Sequence, residues 1–182
     1  MKKNIFQNLF VLDLANNHFG DLNHAKKIIN KFNIICKKKK INFVVKFQFR
    51  NLETYLHKSA LKDQNNKYVK RFNSTKLSLL DIKSLVNFCK TKKILTACTP
   101  FDEESVDKIQ EMEFDLIKVA SCSAKDWPLL EKVSQCNLPT VVSTGGLDVK
   151  DIDNLVSFFK LLTLNVPASA PIKNCEVLVK GL

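Results

Sequence analysis

Two lysines stand inside stretches that are otherwise apolar: Lys46 between Val44-Val45 and Phe47, and Lys118 between Ile117 and Val119. An ammonium group held among such neighbours without a partner costs several kcal/mol. Two of them in comparable settings imply an anion between them. The polar residues that share their surroundings are Asp13, Asn16-Asn17-His18, Gln48, Thr99, Ser121 and Ser143-Thr144, each at the C-terminal end of an apolar run. Two ammonium groups and several hydroxyls on one edge suit a small, multiply charged anion such as a phosphorylated carboxylate. The competing reading has each lysine pointing outward from an edge strand and reaching water along its own stem. Neither a Gly-x-x-x-x-Gly-Lys phosphate loop nor a Gly-x-Gly-x-x-Gly fingerprint occurs, which disfavours nucleotides bound in those ways. Gly145-Gly146 marks a tight turn and little more.

The elements that must carry these groups alternate. Short apolar runs at 9–14, 42–49, 94–98, 115–120 and 140–143 read as strands buried on both faces. Helical patterns follow at 22–37, 79–89, 103–112, 127–134 and 149–161. Asp102, Asp126 and Asp148 each precede a helix, where a short acidic side chain caps free backbone N–H groups. Such β-α repetition predicts an α/β fold with a parallel sheet, and in these folds ligands bind at the C-terminal edge of the strands. A long polar connection occupies 51–78, of a length that is usually functional or mobile. Residues 162–182 form an atypical tail with two prolines and at most a short strand at 176–179, so residues 1–161 are the expected domain.

At 182 residues and 45% hydrophobic content the chain can bury one core. Its net charge of +11 comes from 29 basic and 18 acidic residues, and Arg50 and Arg71 are the only arginines. Composition drifting toward lysine explains this better than a nucleic-acid partner. The run Lys37-Lys38-Lys39-Lys40 falls at a helix end, where cations complement the helix dipole, and no aromatic residues interleave with it to stack on bases. The six cysteines include no Cys-x-x-Cys pair, which argues against zinc or redox motifs and for free thiols in the cytoplasm. Polar residues interrupt the start too soon for a signal peptide, and no run approaches the ~20 apolar residues that span a bilayer.

Five segments in order resemble the sialic acid synthase family, which includes enzymes making N-acetylneuraminic, legionaminic and pseudaminic acids. They are Asn16-Asn17-His18-Phe19-Gly20-Asp21, Val45-Lys46-Phe47-Gln48, Thr99-Pro100-Phe101-Asp102-Glu103-Glu104-Ser105, Ile117-Lys118-Val119-Ala120-Ser121 and Ser143-Thr144-Gly145-Gly146. The resemblance implies a (β/α)₈ TIM barrel of which this chain carries about the first five β-α units, since a full barrel takes about 250 residues. The chain is therefore expected to be truncated or split. The resemblance also implies phosphoenolpyruvate as substrate, held by Lys46, Thr99, Lys118, Ser121 and Ser143. Its C3 would attack the aldehyde of an N-acylated amino sugar, after which water attacks C2 and phosphate leaves. Asp13 stands where the family usually has a glutamate near the reacting groups, so Asp13, Lys46 and Lys118 are the catalytic candidates. Asn16, His18, Gln48, Thr99, Ser121 and Ser143 are the substrate-binding ones. Ser123 departs from an acidic residue found in some members.

The same resemblance implies a divalent metal, Mn²⁺ or Mg²⁺, polarising the aldehyde, and a homodimer. The family's metal-binding histidines come from later strands, and neither His24 nor His57 suits that role, so no metal ligand is assigned. Two other classes remain open: an aldolase-type barrel in which Lys118 or Lys46 forms a Schiff base, and a basic non-enzymatic nucleic-acid-binding module.

Overall fold

Parallel pairing begins with β1 (Leu9–Asp13) and β2 (Asn42–Phe49), whose register sets Leu9 opposite Asn42 and Asp13 opposite Lys46. The computed structural model describes residues 5–49, 51 and 65–164, with side chains as far as 159. Helix α1 (Leu22–Lys38) joins the two strands. It starts at Asp21, whose carboxylate accepts the His24 N–H at 2.9 Å, and buries Ala25, Ile29, Asn33 and Cys36. Lys37 and Lys38 fall in its last turn, as the dipole argument requires.

Within the connection read from sequence as irregular, residues 65–78 contain a further helix, α2 (Lys67–Ser74). The Asn66 side chain accepts the N–H groups of Tyr68 and Val69, and Val69 is buried. One cap and one buried apolar residue per two turns are too little periodicity to be legible beforehand. Residues 52–64 lie outside the described residues. Helix α3 (Leu79–Thr91) opens on a reciprocal cap: Ser78 Oγ accepts the Asp81 N–H, and Asp81 accepts the Ser78 N–H. It packs against α1.

After β3 (Leu95–Pro100) come α4 (Glu103–Glu111), β4 (Leu116–Val119), a 3₁₀ turn at Ser121–Ser123, α5 (Trp127–Gln135), β5 (Thr140–Val142) and α6 (Val149–Leu164). β4 and β5 pair in parallel, with Ile117 opposite Thr140 and Val119 opposite Val142. Asp102, Asp126 and Asp148 accept the N–H groups of Ser105, Leu129 and Asp151, so all three expected caps are present. The five expected strands, each followed by helix, thus form an α/β sheet of order β1-β2-β3-β4-β5. Helix α6 runs to Leu164, past the expected start of the tail, and the strand expected at 176–179 lies outside the described residues.

By packing, the chain divides into two compact units between Ala97 and Cys98. The first is centred on Ile29, Val44, Val45, Leu85 and Val86, and the second on Val106, Ile117, Val119, Leu129 and Val142, all fully buried. Each such side chain stabilises by about 1.5–3 kcal/mol relative to exposure. β2 fits the two-sided burial expected of a parallel strand, but β1 does not: Phe10 is 57% and Val11 48% exposed. Adjacent strand residues face opposite sides, so β1 is uncovered on both. It ends the sheet order and has β2 as its neighbour.

The turn from β1 to α1 needs a glycine at one point. Gly20 has φ +75°, and a Cβ there would meet the Ser74 carbonyl oxygen at 3.0 Å. Gly20→Ala is expected to destabilise the chain by about 1–2 kcal/mol from the left-handed backbone alone, with the contact at the end of α2 adding to it. Denaturant unfolding followed by circular dichroism measures this.

Candidate functional site

The strand ends collect the polar residues in two groups, one in each unit. In the first unit the β1–β2 register brings Asp13 to Lys46, and their side chains form an ion pair at 2.8 Å. The Lys46 side chain is 11% exposed and that of Asp13 45%. The second carboxylate oxygen of Asp13 accepts the Ala15 N–H at 3.0 Å. This corrects the argument that a lysine among apolar neighbours lacks a protein partner: Lys46 has one, delivered from the neighbouring strand by pairing. Gln48 lies two residues further along β2, on the same face as Lys46, and is half-buried.

Beyond Asp13 the chain winds through successive tight turns. Leu14 N–H donates to the Lys46 carbonyl at 2.9 Å, Asn17 N–H to Leu14, Phe19 N–H to Asn16 and Asp21 N–H to His18. Ala15 and Phe19 take φ of 42° and 52°. Asn16 is half-buried, while His18 is buried, with Nδ1 accepting the Gly20 N–H at 3.0 Å. Burial pushes the His18 imidazole below its usual value, against a hydrogen bond with the Ala15 backbone that works the other way.

In the second unit Lys118 Nζ donates to Ser143 Oγ at 2.6 Å and to the Val119 carbonyl at 3.0 Å. Ser143 lies just past β5 and not within it; its N–H donates to Val119 O at 3.0 Å and continues the β4–β5 ladder by one residue. Ser121 opens the 3₁₀ turn after β4 and is exposed, and the loop after β5 approaches it, since a Cβ on Gly145 would lie 3.8 Å from the Ser121 Cβ. Thr99 belongs to β3, and its hydroxyl is buried with no hydrogen-bond partner among the described residues. An unmet buried hydroxyl costs about 1–3 kcal/mol, so it marks a place where a ligand oxygen would be welcome. The Lys125–Asp151 ion pair, at 2.5 Å, ties the segment before α5 to α6. Sequence reasoning missed that pair, and the two chain positions give no signal by spacing.

The described residues do not fit Mn²⁺ or Mg²⁺. Among the described residues no three of His, Cys, Asp and Glu gather as a metal site. His18 commits Nδ1 to Gly20, His24 sits on α1 with its ring 5.9 Å from that of Phe19, and His57 lies outside the described residues.

Comparison with known proteins gives a consistent picture. The NeuB family model matches residues 35–174. The N,N'-diacetyllegionaminic acid synthase of Campylobacter jejuni is 28% identical over 157 residues, covering 82% of this chain and 46% of that protein. Among solved structures, a putative spore coat polysaccharide biosynthesis protein E from Chromobacterium violaceum superposes with TM-score 0.81 at 41% identity, over 85% of this chain and 46% of that one. The N-acetylneuraminic acid synthetase of Leptospira borgpetersenii, in complex with citrate, gives TM-score 0.72 at 26% identity, over 86% of this chain and 50% of that one. The chain therefore spans about half the length of the relatives it matches.

The His18 turn yields a pH prediction. A histidine whose folded value is depressed binds fewer protons in the native state, so its stabilisation is full above the unfolded value of about 6.5 and is lost as pH falls through the lower, folded one. The melting temperature is expected to drop below about pH 6.5, and His18→Gln to flatten that part of the profile. An unchanged slope in the variant would show that His18 does not titrate with unfolding.

Proposed function

The chain belongs to the NeuB family, and we propose that it is a nonulosonic acid synthase-like protein whose own residues bind phosphoenolpyruvate. The reaction class joins C3 of phosphoenolpyruvate to the aldehyde carbon of an N-acylated amino sugar. Water then adds at C2 and inorganic phosphate departs. The observation that carries this reading is the Lys118–Ser143 contact at 2.6 Å: a strand-borne ammonium set beside a hydroxyl at the sheet edge where α/β folds bind ligands.

In this reading Lys118 and Lys46 neutralise the phosphate and carboxylate, while Ser143, Ser121 and the unmet Thr99 hydroxyl orient them. Asp13 stands near the reacting groups or the attacking water. Asn16, His18 and Gln48 serve the sugar, and His18 does so as a neutral, positioned imidazole. The family's divalent metal finds no ligand set among the described residues, and the activity proposed for this chain is phosphoenolpyruvate binding without full turnover. Cys36, Cys89, Cys98, Cys122 and Cys136 form no disulfide, which agrees with a reducing compartment such as the cytoplasm.

Titration calorimetry with phosphoenolpyruvate tests the reading. Binding is expected for the wild-type chain, weakened at least about tenfold in Lys118→Ala and in Lys46→Ala, since a hydrogen bond to a charged group contributes about 1.5–3 kcal/mol. Silence of the wild type in calorimetry and in ligand-observed NMR would refute it.

A further inference from the structure

Asp13 and Lys46 are held to each other through both backbone and side chain. They are register partners on β1 and β2, and the residue after Asp13 bonds back to the Lys46 carbonyl through the Leu14 N–H at 2.9 Å. The carboxylate uses Oδ2 for the ammonium at 2.8 Å and Oδ1 for the Ala15 N–H at 3.0 Å. Moving it away from Lys46 would break both contacts within a turn whose backbone is already left-handed at Ala15. An ammonium has three donors, and the ion pair uses one. The lysine can therefore receive a second negative group, but only alongside a carboxylate that stays where it is.

We infer that Asp13 is the resident counter-ion of Lys46 and limits how tightly that lysine holds an anion. An arriving phosphate or carboxylate shares the ammonium with Asp13 and is repelled by it, so affinity is held down and release is fast. Asp13 in this role is a positioning residue: it keeps the nearly buried ammonium balanced and aimed, and it acts on the ligand through Lys46. The inference rests on the reading that Lys46 contacts the substrate's anionic group, and it adds the regulation of that contact.

Asp13→Asn removes the charge while preserving shape and an acceptor for Ala15. Calorimetry with inorganic phosphate is expected to show binding about tenfold tighter than wild type, the size of a like-charge repulsion at short range in a partly screened site. The gain should vanish on a Lys46→Ala background, where Asp13→Asn leaves affinity unchanged, and Asp13→Glu should restore weak binding. A merely structural aspartate would produce no such dependence on Lys46. If Asp13→Asn does not fold in anion-free buffer, added phosphate is expected to refold it by replacing the lost counter-ion; failure to recover would overturn the inference. So would unchanged or weaker phosphate binding by a folded Asp13→Asn chain. The two readings fail separately. Phosphoenolpyruvate binding that Asp13→Asn does not alter leaves the proposed function standing and removes this inference. Phosphate binding gained by the variant, with phosphoenolpyruvate ignored by both proteins, does the reverse.

Discussion

A charged lysine inside a parallel sheet needs an opposite or strongly polar partner, and the strand ends of this chain are organised by that need. Lys46 meets it with the Asp13 carboxylate at 2.8 Å and Lys118 with the Ser143 hydroxyl at 2.6 Å. Asp13 arrives on the strand paired with β2 and Ser143 just past the end of the strand paired with β4, so the pairing of β1 with β2 and of β4 with β5 brings each ammonium its partner. A register slip of one residue would turn the side chains to the other face and leave a buried cation without its partner. Register and polar satisfaction therefore support each other.

The rest of the architecture serves to hold those strands in place. Each helix starts at an aspartate, asparagine or serine cap, and α3 packs against α1 as α5 does against α4. The loops that carry the remaining site candidates are short and stiffened by their own backbone bonds, from Leu14 to Asp21 in one unit and from Ala120 to Asp126 in the other.

Membership of the NeuB family and the likeness to solved relatives account for the fold and the general direction of the chemistry. The chain spans about half the length of those relatives. The Asp13 carboxylate sits directly across from Lys46 as its register partner.

Much of this was legible in the residues. The strand and helix succession followed from hydrophobic period, and the caps at Asp102, Asp126 and Asp148 from their place before apolar stripes. Lys46 and Lys118 were conspicuous because charge interrupts an apolar run. Other features were not legible. Helix α2 rests on one cap and one buried valine, β1 is uncovered because of its place in the sheet order, and the partners of the two lysines lie 33 and 25 residues away in sequence. By itself the sequence determined which groups must be charged, polar or buried, because those properties belong to single side chains and their local period. Only the tertiary structure decided which charge meets which partner, because register between strands distant in the chain sets those distances.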